Sequence, residues 1–184
     1  MNKIARFKKV SYQQFKKDWL NTHRGFDPNT NDTDKYIHLI YNKVEIPTRA
    51  TYGSAGYDFV SPIDFILNPN ETIKIPTGIR VQIRQGWFLT IVPRSSLGFK
   101  YRLQLDNTCG IVDSDYYHAQ NEGHIFIKLT NDNRQNKGLN IKAGDHIVQG
   151  IFLPFGITID DNKTTKQVRT GGFGSTNKTK SFNI

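Results

Sequence analysis

Ten residues, Asn107-Thr108-Cys109-Gly110-Ile111-Val112-Asp113-Ser114-Asp115-Tyr116, carry the densest chemistry in the chain. Gly110 among apolar β-branched residues suggests a strand or hairpin that something approaches closely. In an extended segment side chains alternate, so Asp113 and Asp115 would point to one side. Two carboxylates that close are tolerated best beside a cation, an arginine or a shared proton. A solvated Asp-Ser-Asp turn after a strand is the competing reading, and these residues alone leave both open.

Four other stretches offer polar chemistry. Ser54-Ala55-Gly56-Tyr57-Asp58 ends in an acid at a strand start. Pro93-Arg94-Ser95-Ser96-Leu97-Gly98 follows a strand and opens a short helical turn, whose amides and hydroxyls suit phosphate oxygens. Gly144-Asp145-His146-Ile147-Val148-Gln149 is a turn entering a strand. Arg169-Thr170-Gly171-Gly172-Phe173-Gly174-Ser175-Thr176 joins an arginine, a ring and hydroxyls to glycines, which lets such a segment close over an anion. Glycine-rich tails are commonly linkers and Arg-Ser-Ser is a common tripeptide, so their order and spacing carry the weight.

The elements that must position these groups are mostly strands. Ile73/Ile75, Ile79/Val81/Ile83, Trp87/Leu89/Ile91 and Ile125/Ile127/Leu129 alternate with polar residues, with turns at Asn68-Pro69-Asn70, Pro76-Thr77-Gly78 and Gln85-Gly86. Ile147, Gly150, Ile151 and Leu153 continue the pattern, and Tyr36-Ile37-His38-Leu39-Ile40-Tyr41 also reads as a strand. Many short strands argue an antiparallel sandwich, jelly roll or barrel. Ahead of them, Ser11 and Gln14 form a capping box, with Val10 and Phe15 placed for a hydrophobic staple. Residues 11–22 therefore read as an amphipathic helix packed through Phe15, Trp19 and Leu20. This gives a basic N-terminal helix and polar linker over 1–35, a β domain over 36–160 and a glycine-rich arm over 161–184.

The chain of 184 residues suits one domain and carries a net charge of +9. Residues 1–24 hold seven Lys/Arg against Asp18, so most of the excess is N-terminal. The body has no basic stripe of the kind nucleic-acid binding needs, and nucleic acid is not an expected partner. No apolar run is long enough to span a bilayer and the basic N-terminus lacks an apolar h-region, so neither a membrane span nor a secretory signal is expected. The single cysteine, Cys109, excludes an intrachain disulfide. It reads as a small buried residue, Trp87 as core, and His38, His118, His124 and His146 lack metal-ligand spacing.

Together the five stretches resemble, in order and spacing, the five motifs of the trimeric deoxyuridine triphosphatase (dUTPase) family, from about residue 36 to 176. The loop Tyr117-His118-Ala119-Gln120-Asn121 resembles a branch found in Gram-positive bacteria and their phages. The resemblance implies an all-β jelly roll with a short N-terminal helix and a C-terminal arm. It implies a cytoplasmic homotrimer with shared sites that hydrolyses dUTP to dUMP and pyrophosphate with Mg²⁺. By that likeness Asp113 activates the attacking water, Asp58 supports the site near metal-bound waters, and Arg94, Ser95, Ser96 and Gln149 bind phosphates. Asn107 and the Gly110-Ile111 backbone read uracil, and Tyr116 packs on the deoxyribose. Arg169 reaches the terminal phosphate, Phe173 covers the base, and Gly174 and Ser175 complete the arm's contacts. Mg²⁺ would be held mainly by phosphates and water, as suits a hard octahedral ion.

The chain departs from the pattern at the arm, where Arg169-Thr170-Gly171 is one residue short, and at Ser96 and Arg102, where many members have glycine. A deaminase of dCTP on the same fold and a nucleotide-sensing regulator are the alternatives. Ammonia release would mark the first, and the full set of Asp113, Arg94, Gln149 and Arg169 argues against the second.

Overall fold

The computed structural model describes residues 2–161 and Gly171. Eleven strands and three short α-helices are present among them: β1 (Ala5–Lys9), α1 (Tyr12–Thr22), α2 (Asn31–Lys43), β2 (Tyr57–Val60), β3 (Phe65–Leu67), β4 (Thr72–Pro76), β5 (Ile79–Ile83), β6 (Trp87–Pro93), α3 (Ser95–Tyr101), β7 (Leu103–Leu105), β8 (Gly110–Val112), β9 (Phe126–Asn131), β10 (Leu139–Ile141) and β11 (His146–Pro154), with a 3-10 turn at Ser114–His118. Every strand pairing is antiparallel. The order β2-β11-β6-β8 makes a four-stranded sheet, β4-β9-β7 a three-stranded one, and β1-β5 and β10-β3 make two-stranded ribbons. This jelly-roll arrangement encloses one apolar cluster, and strands such as β5 alternate buried Ile79, Val81 and Ile83 with outward Arg80 and Gln82.

The N-terminal segment is built into that core. Its strand β1, which sequence reading missed, pairs with β5 over five residues, and Phe7 meets the rings of Tyr57, Phe59 and Phe152 at 5.4–5.7 Å between centroids. Helix α1 follows the sequence reading: Ser11 Oγ accepts from the Gln14 amide at 3.1 Å, and Phe15 and Trp19 are buried on one face. The reciprocal half of the box is different. Gln14 turns to Asp18, and the Ser11 amide is taken instead by Glu122 from across the chain at 2.8 Å.

Residues 36–41 are not a strand. They form the middle of α2, and the boundary read at residue 36 falls inside this helix. Thr30 caps it through Thr33, and Asp32 and Asp34 sit in its first turn, where acids favour the helix dipole. Thr33, Ile37 and Ile40 face the core at helical spacing, while Tyr36 and Leu39 face out. Lys16 and Tyr12 of α1 both bond the Asp34 carboxylate, at 2.7 and 2.8 Å. These bonds, Lys16's first, hold Asp34 below the usual carboxylate range, and burial followed by Asp34 pushes the Tyr12 hydroxyl up to about 12. Because Phe15 is fully buried, Phe15→Ala should destabilise the whole domain by about 3–5 kcal/mol. A urea melt followed on the core sheets checks this; a loss confined to helix signal would make the segment an independent appendage.

Candidate active site

Three of the five stretches converge on Asp58. This residue lies in β2, its carboxylate is nearly buried, and Arg94 Nε approaches Oδ1 at 3.4 Å while His146 Nδ1 approaches Oδ2 at 3.5 Å. Gln149 in β11 sits level with Asp58 on one neighbouring strand and with Val92 on the other. Gly56 belongs to this group through what it lacks: a Cβ there would overlap the Gln149 side-chain amide. Ser95 and Ser96 are exposed at the start of α3. A guanidinium held on its Nε edge still offers donors for bidentate contact with phosphate. A cavity of about 280 Å³ opens beside the group, lined by Arg94, Ser96, Lys100, Tyr101, Asp145 and His146.

His146 is the member that sequence reading did not assign. The ladder between β11 and β2 shifts register between His146 and Val148, so strand alternation does not give the direction of this side chain. Arg102, at a glycine-favouring position, closes α3 in the left-handed region at φ +49°. Its fork to Asp132, at 3.1 and 3.0 Å, ties the helix end to the segment after β9.

The segment 107–116 is placed differently from its reading. Strands β7 and β8 lie in different sheets, so Asn107-Thr108-Cys109 is a tight turn crossing between sheets and not a hairpin. The Cys109 amide donates to the Asn107 carbonyl at 2.7 Å, and Thr108 holds φ +66°, a costly angle for a β-branched residue. Asp106 anchors the turn by accepting from Lys128 and Thr130; these bonds, Lys128's first, hold its carboxyl below the usual range. Cys109 is half-buried rather than buried, while Trp87, expected in the core, is half-buried and packs against it. The close approach expected at Gly110 is made by the Ile91 side chain, 3.1 Å from where a Cβ would stand. Asn107 and Ile111 are exposed beside it.

Asp113 and Asp115 do not alternate along a strand. The chain leaves β8 at Val112, and Asp113 caps the 3-10 turn, its carbonyl accepting from the Tyr116 amide at 3.2 Å. Asp113 is exposed, whereas Tyr116 is almost buried, its hydroxyl donating to the His124 carbonyl and accepting from Asn121, both at 2.8 Å. Gly123 also sits tightly here, at φ +68°, where a Cβ would stand 2.6 Å from the Tyr116 carbonyl. Only its place after Glu122 in the loop hinted at that role.

One chain does not bring Asp113 to Asp58. In the β6–β8 ladder Val112 pairs with Leu89 and Gly110 with Ile91, so Asp113 falls level with Phe88, whereas Arg94 follows the opposite end of β6. Six residues of strand separate them by about 20 Å. Arg169, Phe173, Gly174 and Ser175 lie outside the described residues.

The dUTPase family model matches residues 42–177. The deoxyuridine 5'-triphosphate nucleotidohydrolase of Lactococcus lactis is 40% identical over 134 residues, covering 72% of this chain and 88% of that protein. The protein of the same name from Haemophilus influenzae is 38% identical over 147 residues, covering 76% and 91%. Among solved structures, a dUTPase from Streptococcus mutans superimposes with a TM-score of 0.55 at 33% identity, covering 64% of this chain and 90% of that one. A dUTPase from phage phi11 of S. aureus shares the fold, with a TM-score of 0.54 at 22% identity.

Proposed function

The chain belongs to the dUTPase family, and from that premise we propose how its own residues divide the work of hydrolysing dUTP. The enzyme is a dUTP diphosphatase, converting dUTP to dUMP and pyrophosphate. The substrate lies between copies of the chain: Arg94, Ser95, Ser96 and Gln149 of one copy hold the phosphates, and Asp113 and Tyr116 of another face the α-phosphorus and the deoxyribose. The observation that carries this is the placement of Asp113 and Arg94 at opposite ends of β6. A triphosphate cannot bridge such a gap within one chain, while a closed ring of copies joins the two ends head to tail. We assign that ring as a homotrimer, in keeping with the resemblance of the five motifs.

Within the site Asp113 takes the proton of the attacking water, because water at neutral pH is a poor nucleophile toward an anionic phosphorus. Arg94 draws charge from the phosphates and is held by Asp58. Asn107 and the backbone of Gly110-Ile111 face the uracil edge. Phe173, Gly174 and Ser175 cover the base and phosphates, and Arg169 meets the terminal phosphate. Asp58 is already flanked by two basic side chains, and the described residues contain no cluster of three or more metal-ligating side chains. That donor set suits Mg²⁺ carried by the phosphates, with Asp58 near its waters. Bound so, the ion would offset phosphate charge and help to fix the triphosphate's shape.

The test is complementation. Asp113→Asn and Arg94→Ala are each expected to be inactive in pyrophosphate release from dUTP. Unfolded and refolded together, they should recover about a quarter of wild-type activity, since random mixing leaves that share of shared sites with both groups intact. No recovery in mixed assemblies would place both groups in one chain's site and overturn the reading. A panel of dUTP, dTTP, dCTP and UTP in the same assay fixes the substrate, and ammonia from dCTP would mark the deaminase instead.

A further inference from the structure

The residues ahead of the family match converge on one loop. Asp113 to Ile125 runs between β8 and β9 and carries two of the proposed site residues. From β5 and the turn before it, Arg80 Nη2 donates to the Tyr117 carbonyl at 2.6 Å, and the Gly78 amide donates to His124 Nε2 at 2.8 Å. From the N-terminal segment, the Ser11 amide and hydroxyl donate to the two oxygens of Glu122 at 2.8 and 2.6 Å. The second nitrogen of the fully buried His124 meets Asp18 Oδ2 at 2.6 Å. Because Nε2 accepts from Gly78, the ring's proton is on Nδ1 and points at Asp18. Lys8 Nζ reaches the Tyr117 hydroxyl at 3.2 Å.

These contacts bear on residues in unfavourable backbone. Glu122 and Gly123 are consecutive residues at positive φ, +58° and +68°, and glutamate gains nothing intrinsic there. Holding both Glu122 oxygens from outside fixes this turn. The turn places the His124 carbonyl, which holds the Tyr116 hydroxyl, and the Tyr116 amide in turn closes on the Asp113 carbonyl. An unbroken chain of hydrogen bonds thus runs from α1 to the proposed base and sugar-facing ring.

We propose that Ser11 and Asp18 are positioning residues, and that residues 5–22 form a brace which sets the geometry of Asp113 and Tyr116 for attack and for exclusion of a 2′-hydroxyl. This rests on the roles given to Asp113 and Tyr116 above. It differs from a purely structural role in what it controls: displacement of reacting groups by about an ångström lowers turnover far more than binding.

The experiment compares Asp18→Ala with Asp18→Asn, and Ser11→Ala with Ser11→Thr, in the full chain at a temperature where all are folded. Asn and Thr keep the acceptor for His124 and the donor for Glu122. Asp18→Ala and Ser11→Ala should lower kcat for dUTP about tenfold with KM changed less than about twofold. They should narrow the dUTP-to-UTP ratio of kcat/KM, and speed hydrogen exchange in residues 113–125. Asp18→Asn and Ser11→Thr should restore most of each. Variants with lowered Tm but wild-type kcat and selectivity would overturn the brace. Tyr116→Ala, run in parallel, separates the two readings. If it leaves the dUTP-to-UTP ratio unchanged, the sugar role of Tyr116 fails, while the kcat effect of Asp18→Ala through Asp113 still decides the brace. Should Asp18→Ala not fold, the milder Ser11→Ala and Glu122→Gln give the same readouts.

Discussion

Asp113→Asn should lower dUTP turnover by at least about a hundredfold and leave nucleotide binding in place. The exchange keeps the side chain's shape and removes its basicity, so water near the α-phosphorus has nothing to take its proton. Structure is expected to survive for a specific reason. The hydrogen bond that starts the 3-10 turn is accepted by the Asp113 backbone carbonyl, which the exchange leaves in place. Asp115, two residues on and equally exposed, serves as the control: Asp115→Asn should stay within a few-fold of wild type if Asp113 alone is the base. The checks are steady-state pyrophosphate release and isothermal titration with a non-hydrolysable dUTP analogue. Near-normal turnover in Asp113→Asn would remove it from the role, and lost binding would make it a contact residue.

Deleting residues 167–184 should be comparably severe for activity and nearly silent for folding. Among the described residues the buried apolar positions end at Val148, and β11, the last strand there, ends at Pro154. The melting temperature should therefore move by no more than a few degrees. The deletion removes Arg169, Phe173, Gly174 and Ser175 together, and with them the proposed cation for the terminal phosphate and the proposed cover over the base. Loss of one preorganised stabiliser of developing charge costs about a hundredfold to a thousandfold, so at least that range is expected in kcat/KM. A truncated protein with full activity would assign the phosphate charge wholly to Arg94 and its neighbours. One that unfolds would give the segment a structural task.

The strands were legible in the sequence because alternation of Ile and Val with polar residues is a local signal, one that sheets must obey to bury one face. The helix at Asn31–Lys43 was not, although its marks were present. Tyr36-Ile37-His38-Leu39-Ile40-Tyr41 is rich in β-favouring types, and that composition masked the spacing of Thr33, Ile37 and Ile40. The Thr30 cap and the acids of the first turn outweigh it, and packing on α1 completes the case. At the site, motif order put Asp58, Arg94 and Gln149 in one site with Asp113, and within the chain the structure brings together the first three. Motif order could not give the bulge that governs His146, nor the bond between Asp18 and His124, 106 residues apart. Such pairs are set by the path of the whole chain and leave no mark on the residues around either partner.

Strand β1 carries a consequence for the order of events as the protein is made. It leaves the ribosome well before its ladder partner β5, which begins at Ile79, and the Glu122 that Ser11 binds lies 111 residues downstream. Folding domains dominated by such distant pairings are slow, because chain entropy is lost before the contacts form. Until β5 arrives, a short basic strand with Phe7 at its centre stays unpaired, and its charges keep it in solution. A segment made well before its partners is thus expected to be among the last to settle, and the loop bearing Asp113 to gain its full set of contacts only when residues 5–22 return to it.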